Sequence, residues 1–318
     1  MRFSFTCIFG LILLIAAVSL SAPIDPDTQK LYNKIDSLFV IASSGELKYR
    51  DKVEPAIGAI ARLGVPAVPH LIDKLTTNSA RERLTLIQIM VNIGRPAVPK
   101  LVEALGRPEW LVVQRVCWTL GDIGDPGAIE PLKQVSYNPN WQVREYSIRA
   151  IGKIGNTAGV PSVIKAFSDS VGQVRKAAAF ASGEIKDDAA LQPLVKALGD
   201  DFYGARFEAM EALLHFDTAN VVAALKEAIV NASNIQANLI CQTLGKIGTS
   251  DALNVLTAQL ESSKIEQRTY AAVAIMTADP NDLCGFYDRI QKKIIDRLAL
   301  VQIESARKAA NYGPEKSK

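Results

Sequence analysis

Two histidines, four cysteines and an aromatic share of 7% in 318 residues leave this chain short of the side chains from which catalytic and metal centres are built. It contains no Cys-x-x-Cys pair, no glycine-rich phosphate loop and no Gly-x-Ser-x-Gly elbow, which removes the sequence signs of a redox dithiol, a nucleotide enzyme and an α/β-hydrolase. Charge of one sign is also missing. With 36 Lys+Arg against 33 Asp+Glu the net charge is +3, too balanced for the basic footprint of a nucleic-acid binder. No stretch shows the alternation of a strand.

What is present is repetition. Eight units each close a helix-like segment with a pair of residues: Leu63-Gly64, Ile93-Gly94, Ile123-Gly124, Ile154-Gly155, Ile185-Lys186, Phe216-Asp217, Ile247-Gly248 and Ala278-Asp279. The second members are 30 or 31 residues apart throughout. Such a period means a solenoid, in which each unit packs only on its neighbours and the core is a line. His70 and His215 fall five units apart, so no site can be made from both.

Counted back from each marker, positions −1, −4, −7 and −8 are predominantly apolar or small, a helical stripe turned to a core. Gly121, Gly152, Gly183 and Gly245 share position −3, where a missing side chain lets a neighbouring helix come close. Glycine markers stop the helix in a left-handed cap, with Lys186, Asp217 and Asp279 the less comfortable substitutes. A second helix follows each marker, with Pro66, Pro69, Pro96, Pro99, Pro131, Pro161 and Pro193 near its start, where proline sacrifices no helical hydrogen bond. The expected architecture is all-α: a solenoid of about eight two-helix repeats over residues 49–284, between helical caps. Residues 22–48 form the N-terminal cap, with Asp27 as N-cap and Leu31, Ile35 and Leu38 inward. Residues 285–318 form an amphipathic cap and tail, with Ile290, Ile294, Leu298 and Val301 on one stripe; docking of a partner or an anionic membrane is the rival use of that helix.

The first residues read as an address. Met1-Arg2, an apolar run from Phe3 to Val18, and Ser19 and Ser21 before Ala22 make residues 1–21 a signal peptide, with an uncleaved anchor as the alternative. The expected location is periplasmic or secreted, with membrane contact only if the segment is retained. Cys117 and Cys241 occupy one structural position four units apart, too distant for a disulfide, and read as small buried residues. Asn231-Ala232-Ser233 is a glycosylation sequon, of use only in a host that glycosylates exported proteins.

The stretches 141–155 and 173–185 resemble HEAT repeats, of the short subtype also found in phycobilisome bilin lyases. Asp169 with Arg175 and Asp200 with Arg206 match the Asp-x5-Arg pair of that family, which implies a charge ladder between repeats. Arg83, Arg144 and Arg268 keep the arginine without the aspartate, and Val53, Val113 and Ala237 have lost it, so the ladder is expected only in the middle of the array. HEAT-like deoxyhypusine hydroxylases carry repeated His-Glu dipeptides as iron ligands, and none occurs here. The resemblance is strong for fold and weak for activity.

By resemblance the marker-terminated helix lines the concave side. Its positions −10, −9, −6 and −2 lie within about 100° of one another, opposite the apolar stripe, and change chemical class from unit to unit. Along this face stand Arg115, Trp118 and Asp122, then Tyr146, Arg149 and Lys153, Phe180 and Glu184, and Glu208, Glu211 and His215. Aromatics beside arginine are what protein interfaces concentrate at their hot spots. Positive charge in the N-terminal half and negative charge after it would hold a partner in register. Trp110, Trp141 and Tyr203, at position −14, are expected to pack at helix starts. The expected function is an exported scaffold that binds a protein or peptide at Arg115, Trp118, Tyr146, Arg149, Lys153, Phe180, Glu184, Glu208, Glu211 and His215, without catalysis, cofactor, metal or nucleic acid. The resemblance leaves a bilin-lyase-like enzyme or a chaperone for tetrapyrrole attachment as the alternative.

Overall fold

A computed structural model describes residues 25–278; the expected signal segment 1–21 and the expected C-terminal cap 285–318 lie outside the described residues. Among the described residues there are helices and no strand. A capping helix α1 (Pro26–Ala42) precedes α2 (Val53–Ala61) and α3 (Val68–Asp73). Then long and short helices alternate: α4 (Ala80–Ile93), α5 (Val98–Ala104), α6 (Trp110–Ile123), α7 (Ile129–Val135), α8 (Trp141–Ile154), α9 (Val160–Ala166), α10 (Gly172–Ile185) and α11 (Leu191–Ala197). The last units are α12 (Tyr203–Leu213), α13 (Thr218–Ala228), α14 (Asn234–Ile247), α15 (Ser250–Gln259) and α16 (Ile265–Thr277).

The marker positions punctuate this order through backbone geometry. Gly124, Gly155 and Gly248 take the left-handed cap, and Lys186 joins them at φ 58°, the one non-glycine residue with positive φ among those described. Gly64 and Gly94 go further, to ψ near −147°, a region open in practice only to glycine. Asp217 corrects the expectation of a left-handed cap: α12 stops at Leu213, and Asp217 instead caps α13, accepting from the Asn220 amide. In α1 the cap is Asp25 and not Asp27, because Pro26 takes the first helical position and leaves the Asp27 and Thr28 amides to the Asp25 carboxylate. Ile35, Phe39 and Ala42 then bury the inner side of α1, with Leu31 and Leu38 partly covered beside them.

Two layers result, one of long helices and one of short helices with their 3-10 entrances. The long helices α6, α8, α10 and α12 run against one another, whereas the short ones keep further apart. The position −3 glycines explain the difference. A Cβ on Gly121 would lie 2.8 Å from the Ala150 Cα, one on Gly152 2.5 Å from the Ala181 Cα, and one on Gly183 3.1 Å from the Ala212 Cα. Each pairs a position −3 glycine with a position −5 alanine of the next unit, and Gly245 meets Ala274 likewise. Where the pair is missing, as with Val91 facing Thr119 or Leu214 facing Thr243, the long helices α4 and α6, or α12 and α14, approach less closely. A row packed more tightly than its companion row takes the inside of the curve, so α6 to α12 form an inner face.

The Asp-x5-Arg pairs stitch the same stretch together. Arg144 grips Asp169 of the next unit through Nε (2.7 Å) and Nη2 (2.8 Å), and Arg175 grips Asp200 with the same two distances. Each arginine also donates through Nη1 to the carbonyl six residues back in its own unit: Arg144 to Asn138, Arg175 to Asp169, Arg206 to Asp200 and Arg268 to Ser262. Burial pushes the Asp169 and Asp200 carboxyls up, but the arginine forks, the Val171 and Phe202 amides and the nearby charges together carry both below the usual carboxylate range. The ladder thus runs from Arg144 to Arg206, in the middle of the array as expected.

Cys117 and Cys241 are buried, and burial pushes the Cys241 thiol up to about 12 and Cys117 in the same direction.

Candidate binding face

Three columns of the long helices build the site. Position −6 supplies Trp118, Arg149 and Phe180 from consecutive units, position −2 supplies Asp122, Lys153 and Glu184, and position −9 adds Tyr146. The close seam between α6, α8 and α10 brings these side chains into contact. The Trp118 and Tyr146 rings lie 5.8 Å apart with their planes at 41°, and the Arg149 guanidinium sits 4.6 Å over the Phe180 ring. The three aromatics are half-buried, neither sealed in the core nor free in solvent.

Between α6 and α8 the surface dips into a cleft of about 290 Å³, lined by Trp118, Glu145, Tyr146, Arg149, Ala150 and Lys153. Four of these are sequence-expected residues. Glu145 is not, although its position −10 lies in the same face, and it changes the chemistry of the cleft. Burial pushes its carboxyl above the ordinary value, against the pull of Arg149 and Lys176. The cleft therefore offers an aromatic wall, two cationic donors and one acceptor with a preference for a partner that donates to it. The larger groove of about 720 Å³ is lined by α13 and α15 with residues around them, on the short-helix side.

Arg115 does not belong to this face. It is 5% exposed, turned toward the segment that joins α3 to α4, and donates there to the carbonyls of Leu75 and Thr77 (2.7 Å for the latter). The expected charge order is also corrected. Lys153 pairs with Asp122, Glu208 with Lys176 at 3.8 Å, and Glu211 with Lys246, so most of the asymmetry is cancelled between neighbouring units. Glu184 and His215 remain exposed, the His215 Nδ1 lying 3.3 Å from the Gly183 carbonyl oxygen. Lys153, Glu184, Glu208, Glu211 and His215 thus continue the inner face, while the cleft itself gathers Trp118, Tyr146, Arg149 and Lys153. Trp110, Trp141 and Tyr203 are exposed in the first turns of α6, α8 and α12, contrary to the expectation that they pack there.

His70 is tied to the α1 cap, its Nε2 2.8 Å from Asp36 and its ring stacked on Tyr32, far along the array from His215. Among the described residues no group of three or more His, Cys, Asp or Glu converges as metal ligands would.

The family model described as HEAT repeats matches residues 68–139 and again 129–213, a stretch that contains the seam, the ladder and the cleft. Residues 68–213 are thus HEAT repeats. Among solved structures the chain is similar to YibA of E. coli at 17% identity, covering 82% of this chain and 98% of that one with a TM-score of 0.48. It is similar to human deoxyhypusine hydroxylase in complex with glycerol at 20% identity, covering 90% and 99% with a TM-score of 0.31. An engineered protein matches at 15% identity, covering 91% and 96% with a TM-score of 0.40. No curated protein matches.

Proposed function

We propose that the protein is an exported scaffold that binds a polypeptide partner on the inner face of the α6–α10 helices, without catalysis. The observation that carries this reading is the cleft where Trp118, Tyr146, Arg149 and Lys153 meet Glu145. Half-buried aromatics beside a partly shielded arginine are what hot spots are made of, because they bury area at little cost in side-chain freedom. The mixture of cationic donors and one acceptor suits a peptide, whose backbone and side chains present both complements. Export rests on the sequence of residues 1–21, whose apolar run and small residues have the order of a cleavable signal.

The test replaces Trp118, Tyr146 and Phe180 by Ser together in the mature protein. All three are only half-buried, so the helical array is expected to persist by circular dichroism. Capture of envelope proteins by the wild type should fall at least tenfold in the variant, since each lost hot-spot anchor is worth about 2 kcal/mol. Recovery of the same proteins at the same yield would contradict the reading.

A further inference from the structure

The repeat register singles out a second place on the molecule, away from the cleft. In the ladder, each position −11 arginine spends Nη1 on the position −17 carbonyl of its own unit and turns Nε and Nη2 to the position −17 aspartate of the next unit. Arg83 occupies position −11 of its unit, yet neither half of this pattern is available to it. The carbonyl it should meet, Thr77, receives Arg115 instead. The residue that should supply the acid is Arg107, whose guanidinium is drawn away to Asp73.

What remains is a pair of shielded guanidiniums with no acid on them. The Nε atoms of Arg83 and Arg115 are both buried without a hydrogen-bond partner, and Arg115 as a whole is 5% exposed. Burial, then the neighbouring charge of Arg83, holds Arg115 below its ordinary value, which places the two cations within reach of each other. The amide side is prepared as well. Asp169 and Asp200 each accept from the amide two residues on, those of Val171 and Phe202, whereas Arg107, at the same position before α6, offers the Glu109 amide no such acceptor. Arg206 also lacks an acid in the next unit, where Asn231 holds the position, but its guanidinium lies 5.5 Å from the Tyr203 ring centroid and has that face to rest on.

We propose that Arg83, with Arg115 beside it, is a receptor for a carboxylate from an acidic side chain of a protein partner, which completes the rung that Asp169 and Asp200 complete in the neighbouring units. The carboxylate meets the terminal nitrogens of the Arg83 guanidinium, whose Nε is closed off by burial, and its remaining oxygen lone pairs face the start of α6. A planar, bidentate acceptor fits this fork better than a spherical anion. The inference stands apart from the Trp118 cleft and does not depend on it.

The test follows the melting temperature of the mature protein in tetra-aspartate peptide and in sodium acetate, each against chloride at matched ionic strength. Wild type is compared with Arg83→Gln and with Arg107→Asp, the second of which supplies the acid from within the chain. The expected result is a rise in melting temperature with carboxylate in the wild type and its loss in both variants. A rise with the peptide at lower carboxylate concentration than with acetate assigns the acid to a polypeptide. No rise with the peptide, an equal rise with acetate, or an undiminished rise in Arg107→Asp overturns the proposal, and the last arm serves even if Arg83→Gln fails to fold. Serine replacements in the Trp118 cleft leave the response unchanged, so failure of one reading is separable from failure of the other.

Discussion

At the scale of single residues, the absence of a side chain does as much as its presence. Gly152 lets α8 and α10 close to contact, and a methyl group there would sit 2.5 Å from the Ala181 Cα. Gly152→Ala therefore sets a gain in helix propensity of about 1 kcal/mol against overpacking of roughly 1–3 kcal/mol, and the expected net result is a lower denaturation midpoint in urea. Lys186 shows the opposite case. It holds a left-handed cap at φ 58° where most other markers are glycine, so Lys186→Gly should raise stability by about 1 kcal/mol, read from the same midpoint. Both positions were legible in the sequence, because a period of 30 or 31 residues aligns them with their equivalents. Arg115 was not legible. Its column is only half-buried at Tyr146 in the next unit, and what turns this arginine inward is a pair of carbonyls, those of Leu75 and Thr77, that lie about forty residues earlier in the chain.

At the scale of elements, the ladder couples unit to unit. The carboxyls of Asp169 and Asp200 lie below the usual range when folded, so they contribute stability above the unfolded value of about 3.9 and lose it as pH falls through their folded values. Thermal stability should therefore be level near neutrality and decline below about pH 4 as these groups protonate. Asp169→Asn should cost roughly 2–3 kcal/mol at pH 7, since it leaves the mostly shielded Arg144 without its counter-charge, and it should reduce the acid dependence measured by calorimetry. An unchanged profile in Asp169→Asn would remove the ladder from the energetics. The position of the ladder followed from the Asp-x5-Arg spacing, whereas the cross-unit pairs Lys153–Asp122, Lys176–Glu208 and Lys246–Glu211 did not. They depend on how far each long side chain reaches across the seam, which a one-dimensional pattern does not encode.

At the scale of the whole molecule, the array has an inner face because one layer of helices packs more closely than the other, and the tight glycine–alanine seams lie under the aromatic cleft. The fold class, the unit boundaries and the four close seams at Gly121, Gly152, Gly183 and Gly245 come directly from the repeat. The cleft was legible in outline, as Trp118, Tyr146, Arg149 and Lys153, but Glu145 escaped because its significance lies in burial beside Arg149, which the pattern of residue types does not record. The most direct measurement of the central claim is site-specific photocrosslinking in the producing cell, with a benzophenone side chain placed at Tyr146 on the inner face or at Gln192 on the short-helix layer. The account predicts a discrete protein adduct from position 146 that is lost when Arg149 is also changed to Ala, and none of comparable yield from position 192. An adduct from position 192 alone, or one from position 146 that is indifferent to Arg149, would contradict it.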